Sequence, residues 1–385
     1  MPAPSVAQKV KNFLQPATPQ MIGTLSRFVV AESPSLEKAY ADRCCEIIAA
    51  EWRKHGLQVR RVPQKNRGDH LHIVSSSNSS RPTGQLLVLG HYDTVYASGT
   101  IKKMPFRLTT GKAYGPGTFD MKAGIVQALF AHHALKKLNL VSNKRIVFLW
   151  TSDEEIGSDS SRKLIETEAL RSDAVFVLEP SFGSRGLIKT ARKGVGEAEI
   201  IVHGRASHAG LAPEEGINAI HELCHQLSRI LKWNNPSRGT TVNADIIHGG
   251  TRTNVIADHA RTFLDLRATS IPEMSRLERQ LLALKPHIRG AQLEIHGGFS
   301  RSPLERKMSA ALFERAKSLA AQMNLSLGEC VVGGGSDGNL TAALGIPTLD
   351  GLGAVGDGAH STHEHVLTAA MPIRAALLAA LLATS

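Results

Sequence analysis

The sequence predicts an α/β protein with an at least partly parallel sheet, interrupted by a smaller α+β unit. Three observations carry this reading. Three short apolar runs, residues 85–90 (QLLVLG), 145–150 (RIVFLW) and 174–178 (AVFVL), lack alternation, as expected of strands covered on both faces. A helix-forming stretch, residues 121–138, separates the first two, and strand–helix–strand order favours parallel pairing. After Gly194 the pattern changes to β-α-β-β-α-β, the order of a ferredoxin-like unit about a hundred residues long.

Taken in order, residues 35–56 place apolar side chains at helical spacing, and Gly56 supplies a C-terminal stop. Residues 58–62 and 70–74 read as short strands. The three buried strands follow, then an alternating strand at 196–204 and an amphipathic helix at 217–233. Residues 241–248 and 261–268 alternate again, ahead of a helix at 272–285 and a strand at 291–296. The Ser-Arg-Ser-Pro turn at 300–303 closes the insertion. From Leu304 the chain resumes helix–strand–helix order, with a strand at 346–349 and an apolar helix at 372–383. The expected division is a first catalytic segment 1–193, an insertion 194–304 and a second catalytic segment 305–385.

Composition narrows the function classes. With 42% hydrophobic and 21% charged residues, the 385-residue chain can bury a sizeable core and is not a disordered or low-complexity polymer. Lys and Arg number 45 against 34 Asp and Glu, a formal charge of +11. The cations are scattered, without a basic arm, and aromatics are only 5%, so neither nucleic acid nor a membrane is expected as a partner. No window approaches ~20 apolar residues and no secretory leader pattern opens the chain. Cys44, Cys45, Cys224 and Cys330 have no framework spacing, so reduced thiols and a cytoplasmic location are expected.

Each buried strand runs into polar groups that can ligate metal: His91 and Asp93, then Asp153-Glu154-Glu155, then Glu179. In open α/β sheets ligands bind beyond the carboxyl ends of the strands, so these groups should converge. Asp120, at the start of the helix after the first strand, and His360, after the last strand, are further candidates. Two imidazoles with several carboxylates suit zinc or another borderline divalent ion. The adjacent Glu154 and Glu155 permit one to bind metal while the other moves a proton. Asp93 is placed to hold the second nitrogen of His91.

The motifs HYDTV, GPGTFDMKAG, TSDEEIGS, VLEPS, GRASHAG, GGGSDG and GAHS appear in that order across residues 91–361. Together they resemble the co-catalytic zinc aminoacylase/carboxypeptidase family, and most of all its glutamate carboxypeptidase (carboxypeptidase G type) branch. The resemblance implies a zinc-exopeptidase-like mixed, mostly parallel sheet sandwiched by helices, with the ferredoxin-like insertion serving as lid and dimerisation domain. It implies two zinc ions per chain, with cobalt or manganese as substitutes. Asp120 would bridge them, His91 and Glu179 would complete one, and Glu155 and His360 the other. Glu154 would be the general base and Asp93 the orienter of His91. His363 and His365 lie close to His360, and the family's spacing to a following glutamate, here Glu364, selects His360. His208 would stabilise the oxyanion, in its own site or a partner subunit's. Asn254, Arg267 and Arg301, with Gly334 and Gly335, would contact the substrate carboxylate. The implied activity is release of a C-terminal amino acid such as glutamate by cleavage of an amide beside a free carboxylate. The same fold also serves N-acyl-amino-acid deacylases and dipeptidases. One position departs: Leu187 stands where folate-cleaving members carry a lysine, with Lys189, Arg192 and Lys193 nearby, which counts against folate cleavage.

Two other motifs compete. His221-Glu-Leu-Cys-His225 matches the single-zinc HExxH pattern on a helix, but no third ligand follows at the usual spacing. Gly333 to Gly338 matches GxGxxG, yet too little chain follows for a dinucleotide-binding fold. With five acids assigned to the expected site, the remaining surface is more basic than +11 suggests, which favours small carboxylate substrates.

Overall fold

Alternation within the central strands explains how one sheet carries helices on both faces. The computed structural model describes residues 3–75 and 82–385. The chain divides into two compact units, one of residues 1–191, 306–331 and 336–385, the other of residues 192–305 and 332–335.

The first unit holds a six-stranded sheet in the order Gln58–Val62, His70–Ser75, Arg145–Thr151, Gln85–His91, Ala174–Val177, Thr348–Leu349. The last four run parallel, and the first two are antiparallel additions at one edge. Successive side chains of a strand face opposite sides. Leu86, Val88, Ile146, Phe148 and Trp150 enter the larger core, while Leu87, Leu89, Val147 and Leu149 enter a smaller one against Ile165, Ala169 and Leu340. Helix Ala123–Lys137 is almost wholly buried, packed between the sheet and the apolar helix Ala370–Thr384. Gly124 permits the approach: a Cβ there would stand 2.5 Å from the carbonyl oxygen of Leu178. Residues 118–122, expected to join this helix from Met121 onward, instead form a wider turn, and the Asp120–Met121 peptide is cis. Two helices, Val6–Leu14 and Thr18–Val30, precede the first expected helix. Prolines at 16 and 19 obscure their periodicity, although Pro is well tolerated in a helix's first turn.

The second unit is a four-stranded antiparallel sheet, ordered Thr241–Gly249, His259–Ala268, Gly194–His203, Gln292–Arg301. With helices Ala219–Ile230 and Ile271–Leu282 this is the ferredoxin-like topology. Ile200, Val202, Leu223, Leu264, Leu277 and Leu281 form its core. Among the described residues, no helix is long and apolar enough to cross a membrane.

Candidate metal centre

Parallel pairing places the ends of three strands along one sheet edge. His91 is the last residue of its strand, Glu155 follows Thr151 by four residues, and Glu179 follows Val177 by two. Asp120 reaches the same place from the turn before helix Ala123–Lys137, and His360 from the loop between Asp357 and His365. His360 has φ +60°, a conformation uncommon for a side chain of its size, so the loop presents the imidazole at some backbone cost.

Two donor sets result, His91–Asp120–Glu179 and Asp120–Glu155–His360, which share Asp120. His91 Nε2 lies 3.3 Å from Asp120 Oδ1 and 3.5 Å from Glu179 Oε1. His360 Nε2 lies 3.5 Å from Asp120 Oδ2 and 3.1 Å from Glu155 Oε2. Ligands about 2.0–2.1 Å from one tetrahedral cation stand roughly 3.3 Å apart, so the three longer spacings fit metal ligation better than direct hydrogen bonding, and the 3.1 Å contact of His360 with Glu155 fits either. Asp120 Oδ1 is buried without a hydrogen-bond partner, as a carboxylate oxygen reserved for a cation would be. The residues therefore fit a dinuclear centre.

The surroundings fix these donors. His91 Nδ1 donates to the backbone oxygen of Asp93 at 3.1 Å, which leaves Nε2 facing Asp120 and Glu179. The fully buried Asp93 carboxylate accepts Ser35 Oγ at 2.7 Å and the backbone N–H groups of Glu154 and Glu155 at 3.3 Å. Asp93 thus orients an imidazole and also holds the turn bearing both glutamates. Glu364 is buried and accepts N–H groups of Gly117, Phe119 and Asp120 at 2.8–2.9 Å, with Tyr96 Oη at 2.7 Å. The same Tyr96 hydroxyl lies 2.9 Å from the Ser361 carbonyl oxygen, beside His360. Tyr96 carries no sequence signal, being an ordinary aromatic five residues past His91. Of the neighbouring histidines, His363 engages Ser361 and His365 donates to the His363 carbonyl, so His360 alone of the three reaches Asp120 and Glu155.

Crowded carboxylates set the protonation of these side chains. Asp120 and Glu155 raise His360 to about 10. Burial disfavours a charge on His91, but Asp120, Asp93 and Glu179 together push it well above the usual imidazole range. Burial would raise Asp120, yet His360 and His91 hold its carboxyl well below the ordinary value. Burial dominates at Glu155, whose carboxyl is raised, and at Glu364, pushed up to about 7. Protons on the imidazoles therefore stand in for metal charge, and cations must displace them to bind. Apparent metal affinity is expected to climb as pH rises from 7 towards 10, with up to two protons released per filled centre. Calorimetric titration in buffers of differing ionisation enthalpy measures this; metal uptake at pH 7 without proton release would contradict it.

The second unit carries the remaining predicted residues. His208 is exposed, and its Nδ1 accepts the N–H groups of Gly210 and Leu211 at 3.1 Å, so the ring proton sits on Nε2. The Asn254 carbonyl oxygen accepts Ala209 N–H at 3.0 Å. Arg267 is already paired with Asp265, Nη2 to Oδ2 at 2.6 Å. Arg301 is buried at the end of its strand. The carbonyl oxygens of Gly334 and Gly335 accept Arg192 Nη1 at 3.1 and 3.0 Å. The HExxH match is a structural device. Its Glu222 is fully buried and accepts the N–H groups of His287 and Ile288, while His225 stacks on His287.

Carboxypeptidase G2 of Pseudomonas sp. (strain RS-16) is 30% identical over 393 residues, covering 98% of this chain and 93% of that protein. Succinyl-diaminopimelate desuccinylase of Paraburkholderia xenovorans (strain LB400) is 27% identical over 300 residues, 74% of this chain and 78% of that enzyme. The crystal structure of aminopeptidase PepT from Bacillus cereus ATCC 10987 shares the fold with TM-score 0.78 at 21% identity, covering 95% of this chain and 98% of that one. Residues 87–384 match the Peptidase family M20/M25/M40, and the chain belongs to that family of metal-dependent hydrolases.

Proposed function

We propose that the protein is a di-zinc carboxypeptidase-type hydrolase that cleaves an amide next to a free carboxylate and releases a C-terminal amino acid such as glutamate. The observation that carries the metal chemistry is the pair of donor sets sharing Asp120. Similarity to carboxypeptidase G2 over nearly the whole chain supports the substrate class.

Two divalent cations held there supply the positive charge that acidifies water and polarises the scissile carbonyl. Asp120 would be shared by the two positions, with His91 and Glu179 holding one cation and Glu155 and His360 the other. Glu154 accepts the water proton on its carboxylate and passes it to the leaving nitrogen. Its backbone is pinned to Asp93, so the base and the ligand Glu155 share one rigid turn. His208 offers a hydrogen bond from its Nε2–H to the developing oxyanion and keeps the proton, a role its tautomer suits. Asn254 and Arg301, with the Arg192-braced Gly334 and Gly335, recognise the carboxylate of the leaving amino acid. Arg267 contributes beside them from its pair with Asp265.

Similarity to the desuccinylase supports a second reading, an N-acyl-amino-acid deacylase or dipeptidase. A screen of N-acyl amino acids and dipeptides with zinc, cobalt or manganese separates the two. Preferential glutamate release fits the first reading, and preference for small or aromatic leaving residues moves the protein to the second. No turnover with any of these amides would reject both.

Homodimerisation through the inserted unit belongs to the same proposal. Strand Thr241–Gly249 is an outer edge of its sheet, with Ile246 and Ile247 half exposed, the kind of edge that a second strand covers. Sedimentation at micromolar concentration should show a dimer, and a monomer would refute it.

A further inference from the structure

One turn, residues 153–158, carries both the base Glu154 and the ligand Glu155. It is closed on itself: Ser158 N–H donates to the Asp153 carbonyl oxygen at 2.8 Å, and Gly157 N–H to that of Glu154 at 3.0 Å. Asp93 grips it from one side through N–H bonds of 3.3 Å, long for a charged acceptor. The short contact is made elsewhere. Ser158 Oγ donates to Asp337 Oδ1 at 2.5 Å, and both residues are buried. A hydroxyl bound to a carboxylate out of water is among the stronger hydrogen bonds open to a protein. Ser158 also has φ +62°, a left-handed conformation that a serine keeps where its surroundings impose it.

Asp337 belongs to the GGGSDG motif, of which the proposed substrate contacts use only Gly334 and Gly335. It is the first residue of helix Asp337–Ala343. The residue before it is fixed from three directions. Ser336 Oγ donates to Asp350 Oδ2 at 2.5 Å and accepts Gly338 N–H at 3.1 Å, while Ser336 N–H donates to Asn339 Oδ1 at 3.0 Å. Asp337 therefore stands on a firm base, and a group bonded to it is held in turn. The helix dipole alone favours an acid at this position. It does not account for the other half of the contact, a buried serine 179 residues away in a left-handed conformation. Neither donor set includes Asp337 itself. We infer that Asp337 is a positioning residue that, through Ser158, sets the affinity of one metal position, the one served by Glu155 and His360. The inference rests on the dinuclear reading of the site and deepens it. Glu155 shares the closed turn with Ser158, so loss of the Ser158–Asp337 bond frees its carboxylate to move. His91 and Glu179 come from the ends of two other strands, and the position they serve should feel the loss little.

The test dialyses the zinc-loaded, full-length protein against a series of zinc buffers and measures bound zinc by elemental analysis. The wild-type chain is expected to lose its ions in two steps. Ser158→Ala is expected to weaken one step about 10-fold or more and the other by less than about 3-fold. The weakened step should be the one that Glu155→Gln also weakens. Asp337→Ala should act on that same step, and the double variant should lose no more than either single one, because both changes break one bond. Affinities unchanged in Ser158→Ala, equal weakening of both steps, or additive losses in the double variant would each overturn the inference while leaving the dinuclear reading in place. A wild-type chain that holds a single zinc ion would overturn the dinuclear reading and the inference with it.

Discussion

Replacing Glu154 with Gln should lower kcat by about 10²–10⁴ while the chain keeps its full complement of metal. Gln preserves the shape of the side chain and its backbone link to Asp93 but cannot accept a proton. Neither donor set includes Glu154, so metal content by elemental analysis should not change. KM should move little, because the lost interaction is made while the proton is in flight. If Glu154→Gln kept more than about a tenth of wild-type kcat, the proton would have to travel by another group. Glu155→Gln provides the contrast, since it should weaken metal binding as well as activity.

The largest stability effect is expected at Arg374. This arginine is buried in helix Ala370–Thr384, and burial alone lowers it to about 10. Its guanidinium donates to the carbonyl oxygens of Gly353, Gly186 and Gly351. Gly353 N–H in turn donates to the Glu179 carbonyl oxygen at 2.9 Å. A Cβ on Gly353 would meet the Leu178 carbonyl oxygen at 2.1 Å, so the loop passes against the strand end with no room to spare. Arg374→Met fills the volume but leaves three carbonyls without a donor, at a cost on the order of 3 kcal/mol or more. Urea unfolding reads the loss as a lower midpoint. Metal affinity should fall as well, since the loop that braces Glu179 is loosened. A midpoint within experimental error of wild type would show that water replaces the guanidinium at no cost.

The parts of the protein that were legible in the sequence are those governed by local pattern. Non-alternating apolar runs mark strands covered on both faces, and the first polar residues after them belong to the sheet edge where ligands gather. His91, Glu155 and Glu179 stand out that way, Asp120 and His360 stand out as polar residues at a helix start and after the last strand, and the family resemblance divides the five between two metal positions. Arg374 was not legible, because an arginine in an apolar helix reads as an exposed position until the loops beneath it are known. Tyr96 was missed for a similar reason, as its partners lie more than 260 residues away. Glu222 shows the opposite case. Its motif suggests metal chemistry, but the neighbouring chain turns the carboxylate into a cap for residues 287 and 288. Arg267 and Asp265 are two apart on one strand and therefore share a face, so their pairing could have been anticipated from alternation.

Glu364 and Tyr96 tie the Asp120 turn to the His360 loop by bonds between protein groups alone. Much of the entropy of ordering those two segments is therefore met when the chain folds rather than when ions arrive. The cradle is preorganised, so uptake of metal has mainly to exchange protons for cations and leaves most of the ion-binding energy for affinity.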